Sequence, residues 1–199
     1  MNKIKCILFD VGGVLAKENI DPVYKNLNEK LGKRVFGRKT TLHKKSLCGK
    51  IKEKEFYGGL SKKSGISARK LRTLMTLEYT KILSVNKDVA RIAKRLRKHG
   101  DMTAILSNVT SEHKRINSRH GIYKGFSPMI LSCDAGCMKP QKKIFELALK
   151  KSNAKPNECV FIDDRKEFLQ TPQKIGMKTI HFKDAKNLIS ELRKIGIDS

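Results

Sequence analysis

Apolar residues in this chain follow two patterns that take turns along its second half. Short stretches at Thr103–Leu106, Met129–Leu131, Cys159–Ile162 and Lys178–Phe182, apolar throughout or in part, are too brief for helices and predict strands, as does Ile7–Phe9 after Cys6 near the start. Between them the apolar positions recur at helical spacing. Val89, Ile92, Ala93 and Leu96 share one face of a helix that His99-Gly100 ends. Thr110 or Ser111 starts a polar helix to about His120. Pro140 opens a helix that turns Ile144, Phe145, Ala148 and Leu149 inward. Another follows Asp163-Asp164 and stops at Ile175-Gly176, and a last one places Leu188, Ile189, Leu192 and Ile195 on its inner face. Strands alternating with helices pack as a parallel sheet with both faces covered, so the pattern predicts an α/β fold.

Residues 17–85 interrupt this alternation and lose the strand signal. Asp21 as N-cap and Pro22 at the first position open a helix that runs to Leu31-Gly32. The basic stretch from Lys33 to Thr41 contains Gly37 and predicts a loop. Gly49-Lys50-Ile51 leads into a helix over Glu53–Leu60, Gly65-Ile66-Ser67 makes a break, and Ser67 caps a helix with Leu71, Leu74, Met75 and Ile82 on one face. The chain thus divides into a sheet-bearing core, residues 1–16 and 86–199, and a helical insertion, residues 17–85, after the first strand.

Three of the predicted strands stop in the same way. Ile7-Leu8-Phe9 ends at Asp10, followed by the turn Val11-Gly12-Gly13. Leu106 ends at Ser107-Asn108, and Ile162 ends at Asp163-Asp164. Asp10 alone is also what a strand end that merely caps a turn looks like. In a parallel sheet, however, strand ends share one edge, and open α/β sheets bind their ligands at the carboxyl edge. Carboxylates brought there from two strands make a hard oxygen site suited to Mg²⁺. A hydroxyl and a backbone N–H at a helix start suit a phosphate oxygen, and Lys139, just before Pro140, brings a positive charge to the same edge.

Charge changes this picture little. The chain carries 44 Lys and Arg against 19 Asp and Glu, a net +25. The excess is spread evenly, +12 over residues 17–85 and +12 over residues 86–199. A diffuse excess of this kind is a solvated Lys-rich surface that draws in anions and binds nucleic acid weakly and without sequence preference, if at all. With no Trp and few aromatics, stacking platforms for single strands are not expected. No apolar run reaches transmembrane length and no secretory leader pattern stands at the start, so a cytoplasmic protein with no membrane role is expected. Cys6, Cys48, Cys133, Cys137 and Cys159 are expected as reduced thiols, with Cys133 and Cys137 too isolated to build a zinc site.

Taken together these stretches resemble the haloacid dehalogenase (HAD) superfamily over nearly the whole chain. Phe9-Asp10-Val11-Gly12-Gly13-Val14-Leu15 is similar to its first motif, Leu106-Ser107-Asn108 to the second, Lys139-Pro140 with Ile144-Phe145 to the third and Ile162-Asp163-Asp164 to the fourth. The insertion at 17–85 is similar to the small helical cap of capped members. The resemblance implies a Rossmann-like three-layer core and, most commonly, Mg²⁺-dependent hydrolysis of small phosphorylated metabolites through an aspartyl-phosphate. On it, Asp10 would be the nucleophile. Asp10, the carbonyl of Gly12 and Asp164 would hold Mg²⁺, with Asp163 as a further ligand or just outside them. Ser107, the N–H of Asn108 and Lys139 would hold the phosphoryl oxygens.

Two positions depart from the family pattern. Where a second Asp usually follows the nucleophile by two residues as general acid and base, this chain has Gly12. Where an Asn often lies four residues beyond the acidic pair, it has Phe168. Loss of general acid–base help costs roughly 10²–10⁴-fold in rate. The competing reading is therefore a HAD-fold protein of little or no turnover that binds a polyanion or a protein partner. The identity of the substrate and the oligomeric state are not written in the sequence.

Overall fold

The computed structural model describes residues 3–198; residues 1, 2 and 199, which the sequence assigns to the core, lie outside them. The apolar runs form a five-stranded parallel sheet: β1 (Cys6–Phe9), β4 (Met102–Ser107), β5 (Met129–Leu131), β6 (Cys159–Asp163) and β7 (Lys178–His181), in the order β5-β4-β1-β6-β7. Chain order thus reverses direction at β1, whose neighbours on the two sides are β4 and β6. That is where an open α/β sheet leaves a crevice at its carboxyl edge. Phe9 pairs with both Ile105 and Ile162, so the ends of these three strands stand close to one another.

Side chains alternate across the sheet and build two layers. On one face Ile7, Phe9, Ile105, Val160 and Ile162 meet Val89, Ile92 and Leu96 of α5 (Lys87–Lys98) and Leu188 and Leu192 of α10 (Ala185–Lys194). On the other, Cys6, Leu8, Ala104, Leu106 and Phe161 meet Ile144, Phe145 and Ala148 of α8 (Lys142–Lys151). Cys6 and Cys159 are paired in register at the start of β1 and β6 and act there as small apolar side chains, and all five thiols are free. The α/β, Rossmann-like three-layer expectation holds.

Several boundaries differ from the sequence reading, each for a local reason. Helix α1 (Ile20–Lys30) is capped by Asn19, whose side chain accepts from the Asp21 amide at 3.1 Å. Asp21 and Pro22 therefore lie inside its first turn, where an amide has no helical partner to lose. Helix α2 (Thr41–Leu47), capped by Thr40, follows the basic loop; its polar sequence carries no apolar stripe. Helices α3 (Glu53–Ser64) and α4 (Ala68–Ile82) match expectation, with Ser67 accepting from the Lys70 amide. Pro140 does not open α8. The chain first turns, with the Gln141 amide donating to the Met138 carbonyl, and the helix starts at Lys142. Beyond Asp164 a single 3₁₀ turn (Lys166–Phe168) precedes a short α9 (Gln170–Lys174). Residues 17–85 are also not strandless at their ends. β2 (Ala16–Lys17) and β3 (Ser84–Val85) pair antiparallel, so the chain leaves the core and returns to it through one ribbon.

The helices between β2 and β3 lean on α6 (Ser111–Arg119), which Thr110 caps. The buried carboxyl of Glu112 accepts from Tyr57 at 2.5 Å and from Thr76 at 2.6 Å. The Tyr79 ring stacks on His113, with centroids 3.9 Å apart. No helix among the described residues is long and apolar enough to cross a membrane.

His43 is buried among the inserted helices, its Nδ1 3.5 Å from the Tyr24 hydroxyl and its ring edge-on to the Tyr24 ring. Burial first, and the Arg38 charge second, push its pKa down to about 4 against the pull of Asp21. The unfolded chain protonates His43 near pH 6.5 while the folded one does not. Stability is therefore lost as pH falls from about 6.5 to about 4, by up to roughly 3 kcal/mol from this group. In His43→Gln the decline of the urea midpoint between pH 7 and pH 4 should be shallower than in wild type. Parallel declines would show that the native imidazole takes up its proton like a free one.

Candidate active site

The three predicted strand ends converge. Asp10 follows β1 and its amide donates to the Ile162 carbonyl of β6 at 2.9 Å. Ser107 closes β4, and Asp163 closes β6 with Asp164 next to it. The Ser107 side chain is nearly buried. Beyond the end of β6, the Asp164 carbonyl faces Nε2 of His181 in β7 at 3.0 Å, and the Phe182 amide donates to the Asp163 carbonyl.

Lys139 is the hub. Its side chain is fully buried, and Nζ lies 2.6 Å from Asp163 Oδ2 and 3.0 Å from Asp10 Oδ1. Below the ammonium lie the faces of Phe161 and Phe168, 5.1 and 5.0 Å from Nζ. Phe168, at the position expected to hydrogen-bond, instead gives the cation an aromatic floor. Burial works against the charge on Lys139, but the two carboxylates outweigh it and hold its pKa above the ordinary lysine value. The backbone of Lys139 is clamped as well. Asn108 donates through Nδ2 to the Lys139 carbonyl at 2.9 Å and accepts through Oδ1 from the Lys139 amide at 2.8 Å. The sequence pointed to the Asn108 backbone. Its side chain, which ties the second strand end to the lysine, was missed.

Asp10, Asp163 and Asp164 each bring a carboxylate oxygen within 4.8 Å of the others. They are not equivalent. Asp163 spends both oxygens, one on Lys139 and one on the Arg165 amide at 2.9 Å. Asp10 spends Oδ1 on Lys139 and on the Val11 amide at 2.7 Å, while Oδ2 accepts no hydrogen bond among the described residues. Asp164 Oδ1 is buried with no hydrogen-bond partner among the described residues. Burial and the neighbouring Asp10 charge push the Asp164 carboxyl above the usual range, as they do Asp163 against the pull of Lys139. Three carboxylates facing one ammonium, with a buried oxygen left unpaired, form a hard-oxygen donor set that a small divalent cation satisfies.

The turn after Asp10 shapes the remaining wall. The Gly13 amide donates to the Ala16 carbonyl at 2.9 Å, and the Ala16 amide to the Val11 carbonyl at 2.8 Å, so residues 11–16 fold back on themselves. Gly13, with φ +77°, is the position that needs glycine, and a Cβ there would overlap the Asp164 carboxylate. Gly12 is not in the left-handed region. A Cβ on it would stand 2.9 Å from Oε1 of Glu18. Glu18, which the sequence reading passed over, is brought back to this point by β2. Its carboxyl is bonded to the Tyr79 hydroxyl. Burial raises its pKa to about 7, with Asp10 and Asp164 adding to the shift and the Tyr79 bond opposing it. A separate small cleft, lined by Tyr24, His43, Tyr57, Met75, Thr110 and His113, lies between the inserted helices and α6 and includes none of these carboxylates.

The profile of the haloacid dehalogenase-like hydrolases matches residues 4–176. The chain belongs to this family. Among the relatives of this HAD-like chain, bifunctional epoxide hydrolase 2 of Rattus norvegicus is 32% identical over 117 residues, which are 56% of this chain and 21% of the rat protein. The match thus spans about a fifth of that relative's length. A sesquiterpene phosphatase of Aspergillus oryzae, astK, is 23% identical over 193 residues and 96% of both chains. A HAD family enzyme of Bacteroides thetaiotaomicron, bt-2542, solved with magnesium and inorganic phosphate, has a TM-score of 0.74 at 22% identity over 90% of this chain and 94% of that one; it shows the shared fold.

The buried Lys139 makes a prediction about the stability of the HAD-like core. Lys139→Met removes the ammonium and leaves Asp10 and Asp163 facing each other unpaired, at a cost of roughly 3–5 kcal/mol in EDTA. Adding Asp163→Asn should return part of the loss. Urea unfolding of the wild type, both single variants and the double variant checks this, and a strictly additive cycle would show that the two groups do not interact.

Proposed function

We propose that this chain is a Mg²⁺-dependent phosphatase of small phosphorylated metabolites. The observation that carries the reading is the division of labour among the three carboxylates. Asp163 is spent on Lys139, Asp164 has an unpartnered buried oxygen, and Asp10 keeps Oδ2 open. In this reading Asp10 and Asp164 hold the cation, which when bound neutralises phosphoryl charge. Residues 17–85 form the cap over the site and shape the leaving-group side.

The residues then act as follows. Asp10 Oδ2 attacks phosphorus and the ester oxygen leaves, which makes an aspartyl-phosphate on Asp10. A carboxylate nucleophile divides one hard displacement into two easier ones. Lys139 holds Asp10 Oδ1, so the free oxygen keeps its aim, and places a fixed positive charge beside the incoming phosphoryl group. The Ser107 hydroxyl and the Asn108 amide receive the phosphoryl oxygens, while the Asn108 carboxamide keeps Lys139 in place. Water then attacks phosphorus, the Asp10–phosphorus bond breaks, and phosphate departs. The full-length match to a phosphatase of A. oryzae supports this reading.

Two measurements test it. Asp10→Asn is nearly isosteric, and its phosphate-ester turnover should fall by more than about a thousandfold while the fold survives. Millimolar Mg²⁺ should raise the Tm of the wild-type protein and leave that of Asp164→Asn unmoved, because a ligand that binds only the folded state stabilises it. Unchanged turnover in Asp10→Asn, or full activity in EDTA with no Mg²⁺ shift, overturns the proposal.

A further inference from the structure

We infer that Glu18 is the general acid and base of this site, giving a proton to the departing ester oxygen and then taking one from the water that clears Asp10. The inference rests on the phosphatase reading above. Cleavage of an unactivated ester needs a proton at the leaving oxygen, and hydrolysis of an acyl phosphate needs a base for water. The other ionisable groups of the site are committed: Asp10 to attack, Asp163 to Lys139 and the Arg165 amide, Lys139 to two carboxylates, and Asp164 to the cation. Glu18 is the carboxyl left over.

Its placement is built, not incidental. The turn at 11–16 and the pairing of β2 with β3 carry the chain back over its own first strand end. Asn86, where the insertion returns, locks the turn by donating its amide to the Leu15 carbonyl at 2.8 Å and its Nδ2 to the Val14 carbonyl at 3.0 Å. Glu18 Oε1 then occupies the space a side chain at position 12 would need. The second carboxyl oxygen is held by Tyr79, whose hydroxyl also bonds to Asn117 Oδ1 at 2.9 Å. Nδ2 of Asn117 points to Tyr123, which orients its carboxamide oxygen toward Tyr79. With Oε2 held in this way, Oε1 is the oxygen left at position 12 to carry the proton that a general acid gives up.

The bookkeeping of the two steps is closed. In the first, the bond from Asp10 Oδ2 to phosphorus forms, the bond from phosphorus to the ester oxygen breaks, and the Glu18 proton goes to that oxygen, so an alcohol leaves. In the second, Glu18 as carboxylate takes a proton from water, the water oxygen bonds to phosphorus, and the phosphorus–Asp10 bond breaks. Inorganic phosphate is released and Glu18 is protonated again.

The test is kinetics with Mg²⁺ on two esters of nearly the same shape, 4-nitrophenyl phosphate and phenyl phosphate, whose leaving groups differ in their need for a proton. Glu18→Gln should lose about 10²-fold or more on phenyl phosphate and clearly less in the first step with 4-nitrophenyl phosphate. With the nitrophenyl ester it should also show a burst of nitrophenolate equal to the enzyme, followed by slow turnover, because the aspartyl-phosphate then lacks its base. Gly12→Asp combined with Glu18→Ala puts a carboxylate back into the same space from the other side. It should recover at least about tenfold over Glu18→Ala alone. Equal losses on both esters without a burst, or no recovery in the double variant, overturns the assignment while leaving the phosphatase reading intact. Wild-type protein that hydrolyses neither ester overturns both.

Discussion

Everything at the candidate site depends on one buried cation. Lys139 sits at zero exposure between Asp10 and Asp163, a position that would be prohibitive for a lone ammonium. The two carboxylates and the aromatic faces of Phe161 and Phe168 make it tenable. In return the lysine makes the two carboxylates tenable, since it is the positive charge that both of them face. This mutual dependence links the loop before α8 to the ends of β1 and β6. The Asn108 clamp extends it to the end of β4. Four segments far apart in sequence are held by one charge, so their relative positions are not free to drift.

The sheet supplies the frame for that charge. Because β1 is central and its neighbours run on in opposite directions, the crevice at its carboxyl end is bordered by β4 on one side and β6 on the other. The main-chain bond from the Asp10 amide to the Ile162 carbonyl extends the ladder one residue past β1 and delivers the carboxylate to the crevice floor. The chain then turns sharply enough that Gly13 must adopt φ +77° under Asp164. The close approach leaves Asp164 packed against the Gly13 backbone, with one oxygen unpartnered among the described residues.

What the sequence made legible follows the range of the forces involved. Burial on a sheet or a helix face repeats with a period, so the five core strands and the stripes of α5, α8 and α10 could be read from spacing alone. Strand-ending Asp10, Ser107, Asn108, Asp163 and Asp164 stood out because apolar runs stop at them. Two-residue strands such as Ala16–Lys17 and Ser84–Val85 have no period, and the polar helix α2 has no stripe, so neither was visible. Phe168 cannot hydrogen-bond, but its ring meets the Lys139 ammonium, a contact between residues 29 positions apart that no local pattern announces. Glu18 lies in a polar connection, Lys17-Glu18-Asn19, where no apolar run stops to mark it. The one clue was that Gly12 left the first motif short of a carboxyl and Glu18 is the next acid along the chain. Its link to Gly12 depends on a turn that brings position 18 back beside position 12.

Charge at the site runs opposite to charge on the chain. The protein carries +25 overall, yet its candidate site sets three aspartates and Glu18 against the single ammonium of Lys139. A phosphate dianion drawn in by the long-range field would therefore meet repulsion at the last few ångströms, where nearby charges outweigh distant screened ones. On the proposed reading two features would lessen it: a proton on Glu18 would remove one negative charge, and a divalent cation on Asp10 and Asp164 would offset the others. The surface charge can raise the rate at which anions meet the protein, but the nearby carboxylates and Lys139 set the field inside the crevice.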